Sequence, residues 1–313
     1  MKYFVKKTIT LIITLFIVSL LAFLAFQIIP GDPVTKMLGT EATPEAVAAL
    51  RAELGLDLPV PARYWNWLTD FLGGNMGISY SYSLPVGEML ADKLPVTAML
   101  TIMSFLITVV LSIPLGILAG SVRNPVLDKL VTVVDQFFMS IPAFFVGVLA
   151  CYIFGIALRV FVPGNFVQPA VDPAGCLRYM IFPAVSIALP RIAMTVKMLR
   201  GAILNELGQD YVRTATSRGA SRDAILRSHV LRNALIPTIA FLAISAAEIM
   251  TGTIIIEQVF NIPGIGRLLM ASIGNRDFPV VQAIVVIFAA WIVVVHFIAD
   301  LLYQLVDPRL RLR

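Results

Sequence analysis

The chain alternates between long hydrophobic runs and shorter polar segments. Several of these runs exceed the roughly 18 residues that mark a helix able to cross a bilayer. The pattern therefore predicts an all-α polytopic membrane protein with about six transmembrane helices. The six runs are Ile9–Ile29, Val96–Ala119, Leu130–Leu158, Tyr179–Leu199, Leu235–Ile256 and Val280–Val306.

The first run is expected to be a retained membrane anchor. Lys2, Lys6 and Lys7 precede it, and the run itself is uncharged. A cleaved signal peptide has a shorter apolar region followed by small residues at the cleavage site. Here the run ends in Gln27 and Pro30 instead, so we predict that residues 1–29 stay in the membrane as the N-terminal transmembrane helix.

Residues 30–95 form a long polar region between the first two runs. The stretch Pro44–Leu54 has an amphipathic helical pattern, and the Gly/Ser/Tyr-rich piece 73–80 predicts turns. Aromatic residues cluster between them, at Tyr64, Trp65 and Trp67. Trp and Tyr usually anchor a protein at the bilayer surface, although such a cluster could also form a platform for a ligand. Anchoring is the preferred interpretation.

Composition agrees with a membrane location. Hydrophobic residues make up 58% of the chain and charged residues only 14%, and the mean hydropathy is +0.88. Soluble domains carry about 45–50% apolar and 25% charged residues. Cys151 and Cys176 form no metal-binding motif, and His229 and His296 are too far apart in the sequence to indicate a metal centre.

The distribution of charge predicts the orientation, because cytoplasmic segments hold the excess of Lys and Arg. With both termini inside, residues 1–8, 120–129, 197–234 and 307–313 are cytoplasmic and hold 15 of the 24 basic residues, with five acidic ones. The region 30–95 holds four basic and eight acidic residues and is then extracytoplasmic. The net charge of +5 is explained by orientation, so we expect membrane lipid around the chain and no nucleic-acid partner.

Five ionisable residues fall within or at the edge of the runs, where charges are costly unless they face a bundle interior or water. Glu248 lies deepest and is the preferred candidate for a translocation path, where it would meet a positively charged part of a cargo. The alternative is a structural hydrogen bond to a neighbouring span. His296 and Asp300, four residues apart, are expected to bond to each other. Pro114 and Pro142 are expected to break helices. The five ionisable residues are Asp135, Arg191, Glu248, His296 and Asp300.

The basic segment 197–234 predicts a helix, a glycine turn and a second helix. Asn205–Ser217 reads as a short helix that ends near Gly219, a residue suited to the left-handed position after a helix. Ser221 is a plausible N-cap for the second helix, and Asp223 in its first turn favours the positive end of the helix dipole. The simpler interpretation is an ordinary positively charged connector between two spans.

The residues of this segment closely resemble the coupling-loop signature of ABC importer permeases. That signature reads Glu-Ala-Ala, three residues, Gly, nine residues, Ile-x-Leu-Pro. On this spacing Gly219 takes the glycine place, and Arg213, His229 and Arg232 replace Glu, Ile and Pro. These replacements resemble the oligopeptide/dipeptide/nickel branch. The matching residues of the segment are Tyr211, Arg213, Thr214, Ala215, Arg218, Gly219, Ser221, His229, Leu231 and Arg232.

The resemblance extends over nearly the whole chain, through short fragments in the order that the family has them. Each fragment is weak alone, and their order on this topology makes them specific. They are Pro30–Pro33, Leu54–Asp57, Gly77–Ser79, Leu94–Thr97, Ser140–Phe144, Glu257–Arg267, Arg276–Gln282 and Asp307–Arg309.

The resemblance implies a type I ABC importer-like permease without enzymatic activity. Residues 96–306 would form a five-helix core with a cytoplasmic coupling loop at 200–234, followed by a tail at 307–313. A second permease, two cytoplasmic ATPases and an extracytoplasmic solute-binding protein are the implied partners. No cofactor is expected on this chain, which has no G-x-x-x-x-G-K-[ST] phosphate loop; ATP and Mg²⁺ would bind the ATPases. The candidate translocation path comprises Ser140, Pro142, Phe144 and Glu248.

Cargo remains a choice between two classes. Di- or oligopeptides are preferred, and nickel or a metal chelate is the close alternative. An ion-coupled secondary transporter using Glu248 or Asp300 is a distant possibility, because its expected inverted repeats are not evident. An intramembrane enzyme would need a nucleophile and base on facing spans, and no such arrangement is apparent. The expected location is the bacterial inner membrane.

Overall fold

The computed structural model describes residues 2–28, 34, 38, 43–53, 55–122 and 124–306. Every regular element among them is helical, and their one β-bridge joins Ile78 to Pro85. The predicted all-α class is confirmed. In chain order the helices are α1 (Lys2–Ile28), α2 (Pro44–Glu53), α3 (Val60–Leu72), α4 (Val86–Ala91), α5 (Leu94–Ser121), α6 (Pro125–Ser140), α7 (Ala143–Ala150), α8 (Pro173–Leu207), α9 (Asp210–Ser217), α10 (Arg222–Ile225), α11 (Leu231–Val259), α12 (Ile265–Gly274) and α13 (Phe278–Val306). Two π-helical segments extend α7 (Cys151–Ala157) and join α10 to α11 (Leu226–Val230).

The membrane-spanning prediction of about six helices is confirmed. Five helices among the described residues are long and apolar enough to cross a bilayer, and a bent helix pair supplies a sixth span if it counts as one. The five are Val5–Gln27, Val86–Ser121, Pro173–Leu207, Arg222–Val259 and Phe278–Leu301.

The third predicted span, Leu130–Leu158, is not a continuous helix. The pair Pro125–Ser140 and Ala143–Ala157 is bent by 90°. Ile141 is extended (φ −86°, ψ 122°), because the ring of Pro142 disfavours the helical conformation in the residue before it. The same expectation for Pro114 is wrong, since this proline lies inside the continuous helix α5.

The chain forms two compact units, Met1–Val96 with Pro263–Val294, and Thr97–Ile262 with Val295–Arg313. In the first unit the polar region packs against the N-terminal helix. Tyr64 of α3 shares a 2.8 Å hydrogen bond with Ser19 of α1 and makes edge contacts with Phe23. Trp67 packs on Phe23 and lines a cavity of about 600 Å³, whereas the Trp65 side chain is exposed. Two of the three clustered aromatics therefore hold α3 against α1.

In the second unit α5 and α8 approach closely through two glycines one helical turn apart. A Cβ atom on Gly116 would lie 2.8 Å from Leu199, and one on Gly120 would lie 2.9 Å from Ile203. Small residues at this spacing let helix backbones come together in membranes. Leu199 and Ile203 are fully buried and belong to a cluster that also contains Val230. The same cluster includes Ala234 of α11, so the end of α8 lies beside the start of α11.

Gly120→Ala is expected to lower the melting temperature of the purified chain, while Gly201→Ala raises it slightly. Both changes gain up to about 1 kcal/mol of helix propensity. At Gly120 the added methyl forces Ile203 to move, and overpacking of this kind costs about 1–3 kcal/mol. Gly201 of α8 has nothing within 4 Å of an added Cβ, so it serves as the matched control. Equal shifts for both variants would contradict the close packing of α5 on α8.

Candidate functional site

The basic loop, residues 200–234, contains a helix and a tight turn that the sequence largely predicted. Gly219 has φ +82°, which confirms its left-handed position after α9. The amide of Ala220 donates to the Ala215 carbonyl (3.2 Å), and that of Gly219 donates to Thr216 (3.0 Å). These two bonds form a Schellman motif, which satisfies carbonyls at the end of the helix. The turn has a defined geometry that depends on glycine.

The second helix of the loop begins where the sequence indicated. The Ser221 hydroxyl accepts a hydrogen bond from the Ala224 amide at 3.4 Å, so Ser221 is the N-cap, and Asp223 lies in the first turn. The start predicted for the first helix is wrong. Residues 205–207 belong to the long helix α8, which ends at Leu207 with Gly208 as its C-cap, and extended Gln209 (φ −76°, ψ 153°) separates it from α9. The short helix α9 therefore carries four of the matching residues, Tyr211, Arg213, Thr214 and Ala215, and the others follow it in the chain.

The apolar side of the basic loop packs into the core of the second unit, to which the loop belongs. Ile225, Leu226 and Val230 are buried in the cluster around Leu199 and Ile203, and Val212 and Ala215 of α9 pack against the same cluster. A short helix gains most of its stability from such packing. The loop is consequently a structured element attached to α8 and α11.

The polar side of the basic loop is exposed. The side chains of Arg213 and Asp210 are 78% and 96% exposed and lie 3.4 Å apart, a contact of little strength in water. Arg213 is thus available to another protein surface. The other exposed members of the predicted coupling set are Thr214, Arg218, Gly219, Ser221, His229 and Arg232.

Tyr211 connects α9 to the helices on both sides of the loop. Its hydroxyl donates to Glu206 of α8 at 2.6 Å, and the Asn233 amide of α11 donates to the same carboxylate at 3.2 Å. Burial and the Glu206 carboxylate raise the pKa of Tyr211, and the hydrogen bond from Asn233 opposes this shift. Glu206 and Asn233 were absent from the predicted site, because their contact joins helices that are distant in the sequence.

The predicted path residues lie in two places of the second unit. Ser140, Pro142 and exposed Phe144 lie at the bend between α6 and α7, where the Ser140 hydroxyl donates to the Gln136 carbonyl at 2.7 Å. Glu248 lies on α11 and forms an ion pair with Arg191 of α8. Both residues were recognised as ionisable groups within spans, but not as partners. The bond between His296 and Asp300 stays a prediction.

A cavity of about 620 Å³ is lined by residues of α6, α8 and α11. Met139, the neighbour of Ser140, is among the lining residues, and so are Glu206 and Asn233, which are hydrogen-bonded to each other. The four predicted path residues are not among the described residues that line the cavity. Its remaining lining is Met194, Lys197, Met198, Gly201, Ala202, Asn205, Ala234, Pro237 and Phe241.

In the first unit, two fragments quoted for the resemblance meet at a buried carboxylate. Asp277 accepts hydrogen bonds from the Ser79 hydroxyl, from the Tyr80 amide at 3.0 Å and from the Ser81 amide at 3.3 Å. Burial and, secondarily, the Asp277 carboxylate raise the pKa of Tyr80, while Arg63 lowers it. The loop after Gly77 is thereby fixed to the start of α13. In the second unit, Thr97 similarly donates to buried Glu257 at 2.5 Å.

Comparison with known proteins gives matches over nearly the whole chain. The family described as "Binding-protein-dependent transport system inner membrane component" matches residues 112–312, and its N-terminal counterpart matches residues 1–101. A probable peptide ABC transporter permease protein of Sinorhizobium fredii is 33% identical over 99% of both chains. A putative peptide transport system permease protein of Brucella abortus is 35% identical over 98% of both. A glutathione transport system permease protein of Escherichia coli is 32% identical over 99% of both.

Proposed function

Because the chain belongs to the family of binding-protein-dependent transport system inner membrane components, we propose that it imports small peptides as a permease subunit of an ABC transporter. The chain is a multi-pass inner-membrane permease, and such a subunit is not itself catalytic. The observation that carries the proposal is the family match over residues 1–101 and 112–312, joined to full-length similarity with peptide permeases.

Members of this family work with ATPase and solute-binding partners. We propose a complex of two permeases, in which the second is a related chain, with two ATPases and one extracytoplasmic binding protein. ATP and Mg²⁺ are bound by the ATPases and none by this chain. Energy therefore has to reach the pore through contacts between proteins.

The basic loop is the proposed contact with an ATPase. Two features of the loop support this proposal. Its apolar side chains are packed in the cluster around Leu199 and Ile203, and its basic side chains are exposed. Arg213, Arg218 and Arg232 can pair with carboxylates on a partner, and α9 can transmit a push because Tyr211 ties it to α8 and α11. Charge complementarity of this kind selects the correct partner and its orientation.

Small peptides are the proposed cargo. The relatives reported above are named for peptide or glutathione transport, and none of these three names mentions nickel. The complex, purified with its partners and reconstituted in vesicles, should take up labelled di- and oligopeptides when ATP and the binding protein are present. Uptake of nickel ions but not of any peptide would contradict the proposal.

The proposed topology has residues 30–95 outside and the basic loop inside. Ser83 and Ser217 are both exposed, so single cysteines at these positions are suitable for labelling. In a background lacking Cys151 and Cys176, an impermeant thiol reagent applied to intact spheroplasts should label position 83 and spare position 217. Permeabilised cells provide the control, in which both positions react. Labelling of 217 alone in intact cells would reverse the orientation.

A further inference from the structure

The ion pair between Arg191 and Glu248 occupies an unusual place. Arg191 lies midway along the 35-residue apolar helix Pro173–Leu207, and Glu248 lies on the neighbouring span Arg222–Val259. Both charges are therefore held at membrane depth, where ionisable groups are expensive and face a bundle interior, a protein partner or water.

The pair is not buried inside the second unit. The side chains of Arg191 and Glu248 remain 25% and 49% exposed, whereas Ile192, Ala247 and Ile249 beside them are buried. The two charges thus project from the helices on the side away from the packed core. An ion pair facing lipid would be costly at this depth, so the surface that carries it faces an aqueous or protein-lined space.

The surface around the pair continues as one stripe of α11. Residues at alternating intervals of three and four fall on one face of a helix, and here they are half-buried or exposed. The stripe reaches the cavity of about 620 Å³ at Phe241, which lines it. Lys197 also lines the cavity and adds a positive charge. It lies six residues after Arg191 on α8, which is about 9 Å along the helix. The stripe consists of Phe241, Ile244, Glu248, Thr251 and Ile255.

We propose that Arg191 and Glu248 form a binding site for the two charged ends of a free peptide. This inference rests on the proposed function. At neutral pH a peptide carries one ammonium and one carboxylate group, which are complementary to Glu248 and to Arg191. Peptide binding exchanges the internal ion pair for two intermolecular pairs, so that no charge is left unpaired in the membrane, where an unpaired charge is most costly.

The site has a consequence for selectivity. An N-acetylated peptide lacks the ammonium group, so its binding leaves Glu248 without a partner. A C-terminally amidated peptide lacks the carboxylate, so its binding leaves Arg191 without one. The site consequently prefers peptides with both ends free, and each residue accounts for the rejection of one kind of blocked peptide.

The test measures occupancy of the site directly. A cysteine at Thr251, which is exposed one turn from Glu248, is introduced into the complete complex in lipid nanodiscs, in a background without Cys151 and Cys176. Its rate of reaction with a small thiol reagent is measured with a free dipeptide, with the N-acetylated dipeptide and with the C-amidated dipeptide. Charge-assisted contacts predict that the free dipeptide protects at roughly tenfold lower concentration than either blocked form.

The variants assign each preference to a residue. Glu248→Gln should remove the preference over the N-acetylated dipeptide, and Arg191→Gln should remove the preference over the amidated one. Asp128→Asn is the matched control, because it removes the carboxylate charge of the separate Arg200–Asp128 ion pair between α6 and α8. It should leave both preferences intact.

Two outcomes overturn the inference. One is equal protection by all three dipeptides in the complex with native Arg191 and Glu248, which decides the matter even if the Gln variants fail to assemble. The other is survival of both preferences in the Gln variants. Failure of the proposed function is a different result, namely the absence of ATP-dependent peptide uptake by the unmodified complex in vesicles.

Discussion

Gly219→Pro is expected to reduce peptide transport at least tenfold while the chain still inserts into the membrane and ATP is still hydrolysed. Proline fixes φ near −65°, whereas the turn requires φ +82° at this position. Proline also lacks the amide that donates to Thr216 and restricts the preceding residue, Arg218. Both Schellman bonds are lost, so α9 can no longer hold its orientation within the second unit.

A graded series separates loss of the turn from general damage. Gly219→Ala keeps the amide and meets no atom within 4 Å, so its cost is the left-handed conformation alone, about 1–2 kcal/mol. Gly208→Ala is the matched control, because Gly208 is right-handed (φ −80°) and accepts a side chain without that cost. Transport and ATP hydrolysis are measured on the same purified complexes, and normal coupled transport by Gly219→Pro would refute the role of the loop.

Arg213→Glu tests the charge of the loop without altering its shape. Arg213 is exposed and its contact with Asp210 is weak, so the substitution leaves α9 folded. Reversal of charge should weaken the assembly of the permease with the ATPase, particularly at low salt, because exposed charges are screened as salt rises. Arg213→Gln is expected to have the smaller effect. Co-purification of the ATPase at several salt concentrations provides the measurement.

Local features of the basic loop were predictable because they depend on neighbouring residues. The left-handed position of Gly219 and the N-cap at Ser221 follow from preferences that act over one helical turn. The membrane spans could also be predicted, since the length of an apolar run is a property of the sequence alone. The predicted start of the first helix, at Asn205, is wrong because α8 continues to Leu207. The apolar pattern does not show where one helix ends and the next begins.

The effect of a proline on a helix could not be predicted from the neighbouring residues alone. Both Pro114 and Pro142 were expected to break a helix, but only Pro142 does so, whereas Pro114 lies inside the continuous helix α5. A proline removes a hydrogen bond and crowds the preceding turn, but neighbouring helices decide whether the helix bends there. The close contacts of Gly116 and Gly120 with α8 hold α5 just beyond Pro114.

Polar contacts between distant segments could not be predicted either. Arg191 and Glu248 were each identified as charges within spans, yet their pairing depends on how α8 packs against α11. Likewise Ser79 and Asp277 belonged to fragments quoted separately, about two hundred residues apart, and the fold brings them into contact. Single-sequence patterns identify such residues but not their partners.

Asp277→Ala is expected to release the loop after Gly77 and to lower the stability of the first unit by at least about 3 kcal/mol. A hydrogen bond to a charged group contributes about 1.5–3 kcal/mol, and this carboxylate accepts bonds from Ser79, Tyr80 and Ser81. Alanine also leaves the buried Ser79 hydroxyl without its acceptor. Hydrogen exchange of residues 77–85, together with thermal unfolding, measures the effect.

The variants Asp277→Asn and Arg276→Ala locate the cause of this instability. An asparagine keeps the shape and one acceptor oxygen but places an NH₂ donor opposite donors, so its effect should fall between those of aspartate and alanine. Arg276 is exposed and adjoins Asp277, so Arg276→Ala controls for disturbance of the turn before α13. Fast exchange of residues 77–85 only in the Asp277 variants would establish that the carboxylate holds the loop, whereas protection unchanged in Asp277→Ala would show that the loop is held by other contacts.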